Sequence, residues 1–380
     1  MDAQFDDAMM GRALALAQSA RYWASPNPHV GCVLVRHGEI IGEGFTQPAG
    51  SDHAEVVALK CAGDATGATA YVTLEPCAHT GRTGPCADAL IKARVRRVVI
   101  AILDPNPAVS GRGVAALSAA GIQVDVGIRE TQAEAELTGF LLRMRRGWGR
   151  VRLKLASSLD GRTAMASGES QWITGAAARQ DVQKLRAQSS VIITGIGTVL
   201  ADDCALTVRA EQLALTGDEL QRAQYRAPLR VVVDSHCRTP LDAKILAATA
   251  PTLLVTAASL DTPAVQHLVA QGMAHLEVLS LPAATHDGDR QVDLPALMSM
   301  LGARGANEIL VEAGPVLGAA VLAEKLVDEV VLYQAPKLLG ANARPLAALD
   351  IGELAAAVQL CFTDISRIGD DLRITAVPIN

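Results

Sequence analysis

Four side chains in the first quarter of the chain could together hydrolyse a carbon–nitrogen bond: His53, Glu55, Cys77 and Cys86. Imidazole and thiolate suit zinc. A zinc ion that activates water needs three protein ligands and one open position, and His53, Cys77 and Cys86 can supply the three. Glu55 follows His53 by two residues in SDHAEV, and the cysteines close E-P-C and G-P-C within EPCAHTGRTGPC. Zinc brings the pKa of its bound water to about 7. A carboxylate beside it can take that proton and pass it to a ring nitrogen, then to departing ammonia. Nucleobase deaminases carry H-x-E followed by P-C-x-x-C; here eight residues, not two, separate the cysteines. Each piece alone is bland. A lone His-x-Glu is ordinarily a helix start, and cysteines this far apart are ordinarily unrelated. A closed structural zinc site with His79 as fourth ligand competes, but it leaves Glu55 without a task. The three pieces in this order are far more specific than any one of them.

Each ligand stands at or near the start of an expected helix, where the positive helix end favours thiolate. Met9, Ala13, Leu16 and Ala20 share one face of a helix over residues 8–20, behind Asp6 and Asp7. VGCVLVR and EIIGEGF read as a hairpin turning at His37-Gly38. Ser51-Asp52 is placed to cap a helix through HAEVVALKCA. AYVTLEP, RRVVIAILDP and IQVDVGI read as strands, with helices from Cys86 to Ala93 and through GRGVAALSAAG. This alternation is the mark of an α/β fold. RMRRGWGR (143–150) breaks the rhythm, which puts two domains at 1–146 and 147–380. In the second, VRLKLA, VIITG, LRVVVDS, TLLVTA, LEVLS, EILVEAG and DEVVLYQ read as strands. Helices are expected over 175–188, 293–303 and 315–326, and 210–227 as a surface excursion.

Composition narrows the partners. Net charge is −6, and residues 1–146 carry 14 basic against 15 acidic side chains. Neither part is basic enough for a polyanion. Aromatic residues are 3% of the chain, too few for a base-stacking surface. Small-molecule substrates are expected, with no nucleic acid and no membrane. Seven scattered cysteines and no evident signal peptide suggest a reducing, cytoplasmic setting.

PNPHVGCVLV, HAEV, TLEPCAHTGRTGPC and DPNP followed by GRG resemble the deaminase half of the bifunctional riboflavin-biosynthesis deaminase/reductases, which carry the long loop between cysteines. KLASSLDGRTAMASGESQWITG, LRAQS and GIGTVLADDCALTVR resemble the reductase half of the same family. The resemblance spans nearly the whole chain. It implies a cytidine-deaminase-like three-layer α/β/α domain followed by a dihydrofolate-reductase-like α/β domain. It implies zinc on His53, Cys77 and Cys86, Glu55 as proton shuttle, and Asn27, His79 and Arg82 at a phosphorylated pyrimidine. For the second half it implies NADPH, contacted by Ala156, Trp172, Thr198, Asp202, Ser235 and the turn Gly314, Pro315, Val316, Leu317 and Gly318. Substrate contacts would be Ser170, Arg186, Leu206, Arg209 and Glu312, and a homo-oligomer is expected.

Two arginines and a serine can grip a terminal phosphate through charge-assisted bonds, which suits Arg186, Arg209 and Ser170. Asp202 is the best candidate for a proton donor. Lys154 alternates with apolar neighbours and faces either the site or solvent. Members of the family often have proline where Gly84 stands, and usually where Cys204 stands. One competing reading is a zinc nucleoside or nucleic-acid deaminase with an accessory binding domain. The other is a zinc-stabilised scaffold without reductase activity.

Overall fold

His37 and Gly38 both take positive φ, 55° and 83°, as a tight two-residue hairpin requires. They join β1 (Gly31–Arg36) to β2 (Glu39–Phe45) in the first of two units, Met1–Gly149 and Arg150–Asn380. The structure is a computed structural model that describes residues 3–78, 84–107, 109–283 and 290–379.

In the first unit α1 (Ala3–Gln18) precedes the hairpin. After it come α2 (Ala54–Ala62), β3 (Thr69–Val72), α3 (Cys86–Lys92), β4 (Arg97–Ile100), α4 (Arg112–Ala119), β5 (Gln123–Val126) and α5 (Glu130–Arg146). The strand order is β2-β1-β3-β4-β5. β1 is antiparallel to both neighbours, and β3, β4 and β5 run parallel. β3 is buried along its whole length, as a central strand covered on both faces should be. Gly44 lets α2 lie close on β2: a Cβ there would stand 2.3 Å from the Ala54 carbonyl oxygen.

Three local expectations are corrected. Asp6 does not flank the first helix but lies inside it and is buried, because its carboxylate accepts Arg97 at 2.9 and 2.8 Å and the Tyr71 hydroxyl at 2.6 Å. Ser51-Asp52 does not cap α2. His53 holds the N-cap position, and Asp52 instead accepts Lys60 Nζ at 2.5 Å. Half of segment 143–150 is helical: α5 runs through Arg146 and ends at Gly147 with φ 94°. Its arginine-rich last turn complements the negative helix end.

The second unit runs β6 (Arg150–Ser158), β7 (Arg162–Ala164), α6 (Ala176–Gln188), β8 (Val191–Gly195), α7 (Ile196–Asp202), α8 (Gly217–Gln224), β9 (Leu229–Val233) and β10 (Thr252–Thr256). It continues through α9 (Pro263–Val269), β11 (Leu276–Ser280), α10 (Leu294–Ala303), β12 (Glu308–Glu312), α11 (Pro315–Ala323) and β13 (Glu329–Ala335). It closes with β14 (Arg344–Pro345), β15 (Leu360–Ile368) and β16 (Asp371–Pro378). The main sheet has the order β11-β10-β9-β8-β12-β6-β13-β16-β15. β11 through β13 are parallel, and the β15–β16 hairpin closes one edge antiparallel. The excursion at 210–227 contains α8. No helix among the described residues is long and apolar enough to cross a membrane.

Candidate active sites

The hairpin and β3 bring three site segments to one end of the first sheet. Gly31 pairs with Phe45 at the end of β2 and exchanges bonds with Thr73 just beyond β3. From that end β2 leads to His53, at the start of α2, and β3 leads to Cys77. Cys86 opens α3, and its backbone N–H donates to Cys77 Sγ at 3.3 Å. His53 Nδ1 stands 3.6 Å from Cys77 Sγ and 3.3 Å from Cys86 Sγ. All three donor atoms lie within 4.8 Å of one another. Tetrahedral zinc with bonds of 2.0–2.3 Å spaces its donors at roughly 3.5 Å, so this imidazole–thiol–thiol set fits zinc. No fourth His, Cys, Asp or Glu joins the cluster among the described residues.

The surroundings favour thiolate at Cys77 but not at Cys86. The hydrogen bond with Cys86, followed by that with His53, holds the Cys77 thiol well below the ordinary range; Cys86 is pushed up as the donor of the pair. Glu55 sits in the first turn of α2 with 4% of its surface exposed. Burial first, and the charge of Cys77 second, raise its carboxyl to about 6. Asn27 lies in the turn before β1, at the same sheet end, with its N–H on the Ala24 carbonyl. His79 and Arg82 lie outside the described residues. Gly84 faces open space, so the absence of proline there disturbs no neighbour.

In the second unit a cleft of about 1600 Å³ opens at the C-terminal ends of the parallel strands, where α/β sheets hold their ligands. Ala156, Trp172, Thr198, Asp202 and Ser235 line it, as do Gly314 to Leu317. Ser170, Arg186, Leu206, Arg209 and Glu312 line it as well. Thr198 Oγ1 accepts the Gly314 N–H at 3.0 Å and so fixes the start of α11. Val316 and Leu317 then carry first-turn amides that an α-helix does not use internally. Gly318, expected with them, is not among the lining residues. Its N–H donates to the Gly314 carbonyl, and it packs toward Leu153 and Leu155.

In the expected phosphate grip Arg186 lines the cleft but is already paired. That guanidinium is not free: Nε and one Nη meet Glu312 at 2.6 and 2.9 Å, and the other Nη donates to the Thr207 carbonyl. Arg209 is exposed in the cleft, with its backbone N–H on Gln183. Ser170 Oγ donates to Asp202 at 3.1 Å.

Lys154, left undecided between site and solvent, lines the cleft beside Ala156, its same-face neighbour on β6. Burial, partly offset by Glu312, lowers its pKa. Burial also raises the Cys204 thiol to about 12, which keeps this departure unreactive near neutrality. His236 and Arg238, at the far end of the cleft, were missed. A basic residue directly after an apolar strand was the available signal.

Comparison with known proteins identifies the family of both units. Residues 150–374 match the RibD C-terminal domain, and residues 3–102 match the cytidine and deoxycytidylate deaminase zinc-binding region. The riboflavin biosynthesis protein RibD of Escherichia coli is 50% identical over 97% of this chain and 98% of its own. That of Haemophilus influenzae is 47% identical over 98% and 97%. The solved Acinetobacter baumannii RibD, form 1, superposes with a TM-score of 0.88 at 44% identity, covering all of both chains. A Thermotoga maritima diaminohydroxyphosphoribosylaminopyrimidine deaminase/5-amino-6-(5-phosphoribosylamino)uracil reductase superposes with a TM-score of 0.84 at 29% identity, over 99% of each chain. On this evidence the chain belongs to the RibD family of riboflavin biosynthesis proteins.

Proposed function

We propose that the residues above divide two consecutive steps of riboflavin biosynthesis between residues 1–146 and 147–380. The enzyme deaminates 2,5-diamino-6-(5-phosphoribosylamino)pyrimidin-4-one, then reduces the ribosyl group of the product to ribityl. The single observation that carries the first step is the imidazole–thiol–thiol cluster with one buried carboxylate beside it.

His53, Cys77 and Cys86 would hold zinc, which when bound would supply the Lewis acidity that brings water toward ionisation near neutral pH. Glu55 takes one proton from the attacking water and delivers it to the ring nitrogen, then takes a second from the hydroxyl added to the carbon and delivers it to the amino group, which leaves as ammonia. Its burial excludes bulk water from that exchange. Asn27, His79 and Arg82 orient the pyrimidine.

In the second unit NADPH supplies the hydride. The first-turn amides of Val316 and Leu317 suit its pyrophosphate, with Ala156, Trp172, Thr198, Asp202 and Ser235 beside the cofactor and Gly318 supporting the turn from below. Arg209 and Ser170 receive the substrate phosphate, against Leu206. The Arg186–Glu312 pair shapes the floor. Asp202, which accepts the Ser170 hydroxyl, is assigned the proton traffic at the sugar on the strength of its place in the cleft.

The far end of the cleft accounts for the cofactor's extra phosphate. Asp234 is fully buried beneath the cleft, its Oδ2 taken by the backbone N–H and hydroxyl of Thr239 at 2.7 and 2.8 Å, so burial keeps it from a ribose hydroxyl. Arg238 is exposed, with Nε 4.0 Å from Asp234. An arginine at this place suits a 2′-phosphate. Arg238→Ala is expected to weaken NADPH binding about ten-fold or more and NADH binding little, measured by titration of both cofactors.

A cytoplasmic location fits this chemistry. A homo-oligomer is supported by β15, which exposes Phe362 and Ile365 on an edge strand. The test incubates the protein with the diaminopyrimidinone substrate. Without NADPH, mass spectrometry should find oxygen in place of one amino nitrogen; with NADPH, a product two hydrogens heavier again. Unchanged substrate in both tubes would refute the reading.

A further inference from the structure

Glu75 stands two residues before Cys77 and has 3% of its surface exposed. Among the described residues no cationic side chain bonds to its carboxylate. It accepts four backbone N–H groups instead: Asp104 at 3.3 Å and Gly111 at 3.0 Å on Oε2, Gly113 at 2.9 Å and Val114 at 3.2 Å on Oε1. Gly113 and Val114 are the second and third residues of α4, whose own N-cap, Gly111 at φ 73°, has no side chain to offer. First-turn amides need an acceptor, and an anion there is favoured by the helix dipole. Glu75 therefore caps α4 from 36 residues away along the chain.

The same contact fixes Glu75 itself. Its backbone N–H donates to the Ile102 carbonyl at 3.0 Å, just beyond β4. Gly113 packs so closely on the next residue that a Cβ there would stand 2.1 Å from the Pro76 carbonyl oxygen. Cys77 is thus approached from one side by a peptide pinned to both β4 and α4. On the other side its carbonyl accepts the Ala87 N–H at 3.1 Å.

We infer that Glu75 is a positioning residue of the deaminase: its buried carboxylate, seated on the start of α4, sets the place of Cys77 and so the metal affinity of the site. The inference rests on Cys77 being a zinc ligand. In Glu75→Gln one oxygen becomes an NH₂ group facing backbone donors, so part of the seat becomes repulsive. Gly113→Ala keeps the carboxylate's chemistry but presses a Cβ on the Pro76 carbonyl oxygen and on the Glu75 side chain, so it displaces the same seat by crowding. Leu117→Ala removes a fully buried side chain of α4 without touching either contact.

Zinc affinity of the full-length enzyme is measured by competition with a chromophoric chelator, with reductase turnover as a check that the chain is intact. Partners behind metal ligands are typically worth 10–100-fold in affinity. Glu75→Gln and Gly113→Ala are each expected to lose about ten-fold or more, with the deaminase kcat falling more than KM moves. Leu117→Ala should keep zinc affinity while melting earlier. Wild-type affinity in Glu75→Gln overturns the inference. So does a loss in Leu117→Ala equal to that in Glu75→Gln, which would reduce the effect to general loosening. Should Glu75→Gln not fold, Gly113→Ala decides alone by the same criterion. Cys77→Ala separates the two layers: if it binds zinc normally, the ligand assignment itself has failed.

Discussion

Glu55→Gln is expected to lower the deamination rate by about 10²–10⁴-fold, the range that a positioned general acid–base contributes. The amide keeps the size and nearly the shape of the carboxyl, so α2 and the packing beneath it should hold. What it loses is the capacity to take and return a proton. The native carboxyl is held at about 6 by burial and by Cys77, a poise from which it can do both near neutral pH. Glu55 is not among the cluster of potential ligands, so the variant should bind as much zinc as the wild type. Its reductase should turn over deaminated substrate at the wild-type rate. Ammonia release, zinc content and NADPH oxidation measured on one preparation check all three. Unchanged ammonia release would remove Glu55 from the mechanism.

Glu312→Gln should damage the second unit by a different route. The pair joins Arg186 in the last turn of α6, its side chain 13% exposed, to Glu312 at the end of β12, 8% exposed. Burial alone would lower the arginine's pKa and raise the glutamate's. The mutual charge and two hydrogen bonds outweigh that and move both the other way. Removing the carboxylate leaves a guanidinium buried with a neutral neighbour, a change that typically costs about 3–5 kcal/mol. For a unit of this size that is a fall in Tm of roughly 10 °C or more. Because the pair also floors the cleft, reductase kcat/KM should drop with it, while deaminase turnover is preserved. The double variant Arg186→Met/Glu312→Gln should recover much of the lost Tm, since it removes the stranded charge. Thermal melts of the wild type, both single variants and the double variant supply the cycle. Near-additive losses would mean that the pair contributes little.

The imidazole–thiol–thiol cluster was legible because chemistry restricts it to few residue types, and two of the three, His53 and Cys86, stand at helix starts the sequence also marks; Cys77 lies instead in the loop after β3. The strand–helix alternation was legible for the same local reason: apolar runs between glycine and proline show where the sheet lies. What escaped depends on partners far along the chain. Nothing near Arg186 announces Glu312, which lies 126 residues on, so a guanidinium that could have met phosphate was read as free. Nothing near Glu75 announces the α4 amides it caps. Asp6 looked like a flank until Arg97 and Tyr71 drew it inside. α5 was passed over although Ala133, Leu137 and Leu141 recur at helical spacing and are buried. Its three terminal arginines read as a linker because charge at a helix end and charge in a loop are alike in composition.

β6, the first strand of the second unit, lies between β12 and β13. Its hydrogen-bonding edges are therefore satisfied by segments that begin at Glu308 and Glu329. During synthesis the earlier unit can complete its sheet as soon as β5 emerges. The later one must keep this interior strand waiting, with both edges unpaired, until most of the polypeptide has left the ribosome. Shortening the gene from its 3′ end should thus abolish reduction abruptly rather than by degrees, and leave deamination untouched.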